Sequence, residues 1–151
     1  MATIRLPNDF KEFLRLLNSN EVHYLLVGGY AVGYHGFPRA TVDLDVWIAQ
    51  DPANIDRVAN ALREFGFRVS PTDRNALTRA RQVLRMGVPP LRIEVLAGVS
   101  GVEFSECYAR RKIVNLDGVD VSLIAIDDLK RNKLAAGRSK DLNDLEHLPE
   151  P

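Results

Sequence analysis

Much is scarce in this sequence, and each scarcity removes a class of protein. A single cysteine, Cys107, cannot close an internal disulfide, which argues against a disulfide-stapled secreted scaffold and for a reducing, cytoplasmic setting. No histidine adjoins Cys107, so a buried, inert thiol is expected there rather than a nucleophile. Long apolar runs are missing, and the N-terminus mixes Asp9, Lys11 and Glu12 with its hydrophobic residues. Membrane insertion and a secretory leader are therefore both disfavoured. Net charge is absent as well: 20 Lys and Arg balance 20 Asp and Glu, which excludes a general polyanion binder and leaves local basic patches open. No internal repeat or low-complexity tract breaks the chain.

What is present suits an ordinary α/β (α+β) protein. The 151 residues are 46% hydrophobic, enough to bury a core within one domain spanning 1–151. The rest is organised around the stretch from Tyr24 to Ile48. Tyr24-Leu25-Leu26-Val27 reads as a buried strand. Gly28-Gly29 then makes a tight turn into a short helix, which Gly36-Phe37-Pro38 breaks. In Thr41-Val42-Asp43-Leu44-Asp45-Val46-Trp47-Ile48 the β-branched and aromatic residues favour a second strand, where side chains two apart share a face. Asp43 and Asp45 thus project together, with Val42, Leu44 and Val46 on the other side. Two adjacent carboxylates repel unless a cation compensates them, and hard oxygen donors suit Mg²⁺ or Mn²⁺. An edge strand with a solvated acidic face is the plainer alternative. Gly28-Gly29 at the start of a helix would aim free N–H groups at a phosphate, or be a simple strand-to-helix turn. His35 lies at the helix break, where satisfaction by local backbone is the common outcome, and no role is assigned to it.

Gly28-Gly29, a helix, and Arg39-Ala40-Thr41-Val42-Asp43-Leu44-Asp45 together resemble the signature of the polymerase-β-type nucleotidyltransferases. The Arg-x-Thr-x-Asp-x-Asp form is most similar to the small bacterial branch of AbiEii toxin-like and minimal nucleotidyltransferases. The resemblance implies a mixed β-sheet with helices packed mainly on one face, and a third carboxylate on a later strand. Leu91-Arg92-Ile93-Glu94-Val95-Leu96 alternates polar and apolar residues and offers Glu94 for that place, where many relatives carry Asp. Pairing of Glu94 with Arg92 on the same face is the alternative. The implied activity is transfer of a nucleoside monophosphate from a nucleoside triphosphate to a hydroxyl on RNA, protein or a small molecule. On this likeness Asp43, Asp45 and Glu94 are the catalytic residues and the ligands of two Mg²⁺ (or Mn²⁺) ions, while Gly28, Gly29, Arg39 and Thr41 hold the nucleotide. Arg39 would grip a phosphate or instead bridge to Asp43. Lys133 to Asp144, with its Lys140-Asp141-Leu142-Asn143-Asp144, also resembles the AbiEii-like branch, implying that Lys133 neutralises triphosphate charge and that Asp141 and Asp144 orient the basic groups. Ordinary ion pairing in a helical hairpin is the other reading. A toxin–antitoxin role, with tRNA or a protein as acceptor and an antitoxin as partner, lies within the same likeness. A non-catalytic nucleotide-binding regulatory module of this fold is the rival.

Elsewhere the pattern is structural. Phe10, Phe13, Leu14 and Leu17 predict a helix over 8–19, capped by Asn8 or Asp9. Ile55, Val58, Ala59, Leu62 and Phe65 predict another, with Pro52 in its first turn and Gly66 as its stop. Phe67-Arg68-Val69 is expected as a short strand, and 70–80 as a loop or short helix. Arg74, Arg79, Arg81 and Arg85 either steer a polyanion or are scattered solvated charges. Segments 82–87 and 91–96 flank Val88-Pro89-Pro90 as a hairpin that delivers Glu94, and 102–111 reads as a helix. Strands 113–116 and 119–123 enclose Asp117-Gly118, a two-residue hairpin signal. Two helices split at Gly137 form a C-terminal hairpin over about 126–148.

Overall fold

In the computed structural model, which describes residues 4–38, 43–79, 82–88 and 91–150, the apolar spacing of the N-terminal segment becomes helix α1, Asn8–Ser19. Its buried face is Phe10, Phe13, Leu14 and Leu17, and full burial of a side chain such as Phe13 contributes about 2–3 kcal/mol. The expected cap is corrected. Pro7 occupies the N-cap without a side-chain hydrogen bond, since its fixed φ of −54° already suits helix entry, and Asp9 falls in the first turn.

Strand β1, Tyr24–Val27, is buried throughout and runs straight into α2, Gly28–Tyr34. Strand β2, Asp43–Ile48, pairs antiparallel with β1, so that Val27 lies opposite Asp45. Helix α3, Pro52–Phe65, follows. Asp51 caps it by accepting from the Asn54 amide, and Gly66 ends it at φ 99°. The short strand expected at Phe67-Arg68-Val69 does not form. The Phe67 amide donates to the Leu62 carbonyl, closing α3, and Ser70 already serves as N-cap of the next helix. That helix, α4 at Pro71–Thr78, begins with a Ser70–Asp73 capping box.

Strands β3, Val83–Met86, and β4, Arg92–Leu96, form the antiparallel pair that sequence alternation suggested. Pro89 and Pro90 of the connection lie outside the described residues. Helix α5 spans Phe104–Ala109, and β5, Lys112–Leu116, turns into β6, Val119–Leu123, through Asp117 and Gly118. Both turn residues take positive φ, 49° and 89°, as a type I′ hairpin demands. Helices α6, Ile126–Ala136, and α7, Ser139–His147, are joined at Gly137, whose φ of 66° ends α6.

The six strands make one mixed sheet in the order β3-β4-β2-β1-β6-β5. β2 therefore lies in its interior, parallel to β4 with Asp43 beside Arg92 and Asp45 beside Glu94. On β2 the alternate residues Leu44, Val46 and Ile48 are wholly buried, as are Ile93 and Val95 of β4 almost entirely. That apolar layer fixes the register, because a slip of one residue would turn the carboxylates into the core. Among the described residues no helix is long and apolar enough to cross a membrane.

Candidate active site

Sheet register assembles the site. Asp43 and Asp45 share one face of β2, and the parallel register sets Arg92 and Glu94 of β4 beside them on that face. From the other neighbour, β1, the antiparallel register delivers Gly28 to Asp45. A Cβ at Gly28 would fall 2.1 Å from the Asp45 Oδ2, and the residue has φ 69°, so only glycine fits. The glycine pair and the acidic strand are thus one site. They line a cleft of about 770 Å³ whose other walls include Arg85, Val99, Ser100, Asn132, Lys133, Arg138 and Lys140. Asn132 of α6 secures the far wall by donating to the Ser100 carbonyl at 3.0 Å.

The acids do not sit as free carboxylates. Burial, then the negative charges of Glu94 and Asp43, push Asp45 up from 3.8 to about 6, with Lys140 pulling the other way. A hydrogen bond between the Asp45 and Glu94 side chains adds a smaller upward push. Both oxygens of Asp43 accept from Arg92, from Nε at 3.3 Å and Nη2 at 3.0 Å. Arg92 Nε also lies 3.4 Å from Glu94 Oε1, and Arg85 Nε donates to the same oxygen at 3.3 Å. The pairing of Glu94 with Arg92 and its membership of the acidic group are therefore both true. Among the described residues no group of three or more His, Cys, Asp or Glu is ready-made for a metal ion. The donor chemistry nevertheless fits a hard divalent cation, which commonly takes only one or two protein carboxylates. Asp45 and Glu94 lie close enough for each to raise the other's cost of ionisation, which is where such a cation would be accommodated.

Lys133 reaches the cleft wall but is only 5% exposed. Its Nζ lies 3.1 Å from Asp141 Oδ1 and 3.1 Å from Asp144 Oδ2, both carboxylates being buried. Arg138 Nε adds a 2.7 Å bond to Asp141. Burial raises Asp141, yet Arg138 and Lys133 overcome it and hold the group below the usual carboxylate range. Lys133 thus ties α6 to α7, while Arg138 and Lys140 are the exposed cations of this wall; the sequence reading quoted Lys140 within its Lys-Asp-x-x-Asp motif but assigned a role to neither. Their flanking of Asp141 was the available signal. Arg39 and Thr41, expected to contact nucleotide, lie outside the described residues, as does Arg81. Away from the cleft, the His35 Nε2 sits 2.7 Å from the Ile124 carbonyl, and burial pushes the imidazole down. Cys107 is buried, its thiol pushed up to about 11 by burial and then by Asp128.

A mixed sheet with a glycine-ended strand against an acidic one defines the nucleotidyltransferase-like fold, and solved structures agree. A "putative nucleotidyltransferase" from Thermotoga maritima superimposes with a TM-score of 0.60 at 13% identity, over 91% of this chain and 88% of that one. An antigenic nucleotidyltransferase-like protein from Paracoccidioides brasiliensis gives 0.55 at 18% identity, over 92% and 73%. At such identities the likeness is one of fold. Over residues 5–148 the chain belongs to the family described as nucleotidyltransferase of unknown function (DUF6036). No curated protein matches it.

Proposed function

We propose that this protein transfers a nucleoside monophosphate from a nucleoside triphosphate to a hydroxyl acceptor, in the cleft between β1, β2, β4 and α6. The single observation that carries this reading is the contact of Gly28 with Asp45, which brings the glycine turn and the carboxylate pair into one pocket. Gly28 and Gly29 let the triphosphate approach the main chain, and Arg138 and Lys140 supply positive charge from the opposite wall. Asp43, Asp45 and Glu94 would hold Mg²⁺ or Mn²⁺, which when bound neutralises phosphate charge and stabilises the attacking and leaving oxygens. The acceptor oxygen bonds to the α-phosphorus, the bond to the bridging oxygen breaks, and pyrophosphate departs. The acceptor proton passes to the Glu94 carboxylate, which stands beside Asp45 on the neighbouring strand. Lys133 acts on this reading by fixing the α6–α7 wall through Asp141 and Asp144.

Three acids kept together at an electrostatic penalty support catalysis over a binding-only regulatory module, which has no need of them. Incubation with each labelled nucleoside triphosphate, Mg²⁺ and RNA, protein or small-molecule acceptors tests the proposal. Label transfer should fall by at least about a hundredfold in Asp43→Ala and Asp45→Ala. Equal transfer by wild type and variants, or nucleotide binding by calorimetry with no turnover on any acceptor, would overturn it. The AbiEii-like resemblance extends the proposal to a toxin acting on tRNA or protein, with growth arrest on expression, relieved by a neighbouring gene, as its readout.

A further inference from the structure

The geometry points to Arg92 as an internal counter-ion of the acidic group, one that must release Asp43 before a divalent cation can load. The inference rests on the reading of Asp43, Asp45 and Glu94 as cation ligands. Its basis is the way Arg92 is built into the sheet. The β2–β4 register sets it directly beside Asp43, and its side chain is only 32% exposed. The guanidinium engages both oxygens of Asp43 as a fork, at 3.3 and 3.0 Å, and approaches Glu94 Oε1 at 3.4 Å. A fork of this kind takes a lone pair on each Asp43 oxygen and holds a positive charge against the group, where it repels an incoming cation. Arg85 differs: it meets Glu94 alone, and its side chain is 59% exposed. Cation and guanidinium therefore compete for Asp43. Loading also leaves the arginine facing the cleft, of which it already forms part of the wall.

A purely structural role, an ion pair that ties β2 to β4, predicts the opposite sign on mutation. Loosening the strands would weaken cation binding or leave it unchanged, whereas removing a competitor strengthens it. The test is calorimetric titration of chelator-stripped protein with Mn²⁺ alone, so that neither nucleotide nor turnover enters. Arg92→Gln should bind Mn²⁺ about tenfold more tightly than wild type, the usual scale for loss of one adjacent like charge. Arg92→Lys keeps the charge and loses the fork, and should gain about two- to threefold. Arg85→Gln should change by less than about twofold, as an exposed cation does. Binding by Arg92→Gln where wild type shows none would support the inference in its strongest form. Equal or weaker binding by a folded Arg92→Gln overturns it. Should circular dichroism show that variant unfolded, Arg92→Lys decides, and an affinity no better than wild type overturns the inference. No Mn²⁺ binding by either wild type or Arg92→Gln would remove the cation site proposed above as well, whereas unchanged binding removes only the counter-ion.

Discussion

Asp45→Asn should make the cation-free protein more stable at neutral pH while removing transfer activity. Burial, followed by the charges of Glu94 and Asp43, moves this carboxyl from 3.8 to about 6. A carboxyl that holds its proton more tightly folded than unfolded adds stability only while protonated. The contribution is complete below pH 3.8, declines as the pH rises and is gone above about 6. The interval between 3.8 and about 6 corresponds to about 3 kcal/mol of ionisation penalty at pH 7.5. Asparagine carries no charge and its amide can still donate to Glu94, so most of that penalty disappears. Allowing for the amide's own partial burial, the expected gain is about 1.5–3 kcal/mol. For a domain of this size that is a rise in Tm of about 3–12 °C. Thermal and urea unfolding in chelator, from pH 4 to pH 8, measure it. The advantage of the variant should be near zero at pH 4, grow through pH 6 and then level off. Saturating Mn²⁺ should reverse the order, because only the wild type keeps a full set of ligands. A variant less stable than wild type at pH 7.5 without cation, or an advantage that ignores pH, would refute the reasoning.

Gly28→Ala places a Cβ 2.1 Å from the Asp45 Oδ2 at φ 69°, so it should lose about 2–3 kcal/mol in urea unfolding and most of the transfer activity. A fully stable, active variant would show that the glycine is not pressed against the acid. Lys133→Met removes the buried cation that lies 3.1 Å from both Asp141 and Asp144, and should cost about 3–5 kcal/mol. A loss under about 1 kcal/mol together with abolished nucleotide binding would instead make Lys133 a ligand-holding residue. Asn54, wholly buried, accepts from the His23 amide and donates to the His23 and Ala49 carbonyls. Asn54→Ala should cost about 2–4 kcal/mol while leaving transfer by the remaining folded protein unchanged.

The legible parts of this fold are those that depend on near neighbours. α1, α3 and the Asp117-Gly118 hairpin follow from spacing, capping and turn residues a few positions apart, and the structure keeps them. Asp43 and Asp45 share a face for the same local reason. Sheet order is another matter. β1 lies between β2 and β6, and the β1–β6 register of Leu26 with Leu123 joins residues at opposite ends of the chain. The contact of Gly28 with Asp45 depends on the antiparallel β1–β2 register, so the motif named both residues but not their approach. Arg92 was legible as a partner of Glu94, but its fork on Asp43 required knowing that β4 runs parallel beside β2. Lys133 was placed on the cleft wall by resemblance, while its capture by Asp141 and Asp144 follows from the reversal at Gly137. Phe67 failed as a strand because its amide was already committed to closing α3.

The acids stand on an interior strand, hydrogen-bonded on both sides and backed by fully buried Leu44 and Val46, so the backbone cannot spread to relieve their repulsion. Relief must come from a proton on Asp45, from the guanidinium of Arg92, or from a bound cation. These act on the same few oxygens and so substitute for one another rather than add. Without cation at pH 7.5, Arg92→Gln should destabilise the wild type more than it destabilises the Asp45→Asn variant, which carries one negative charge fewer to balance. A double-mutant cycle by urea unfolding reads this directly. Strictly additive effects would mean that Arg92 holds Asp43 for reasons unrelated to the charge of the group, and would separate the pH dependence of the site from its counter-ion.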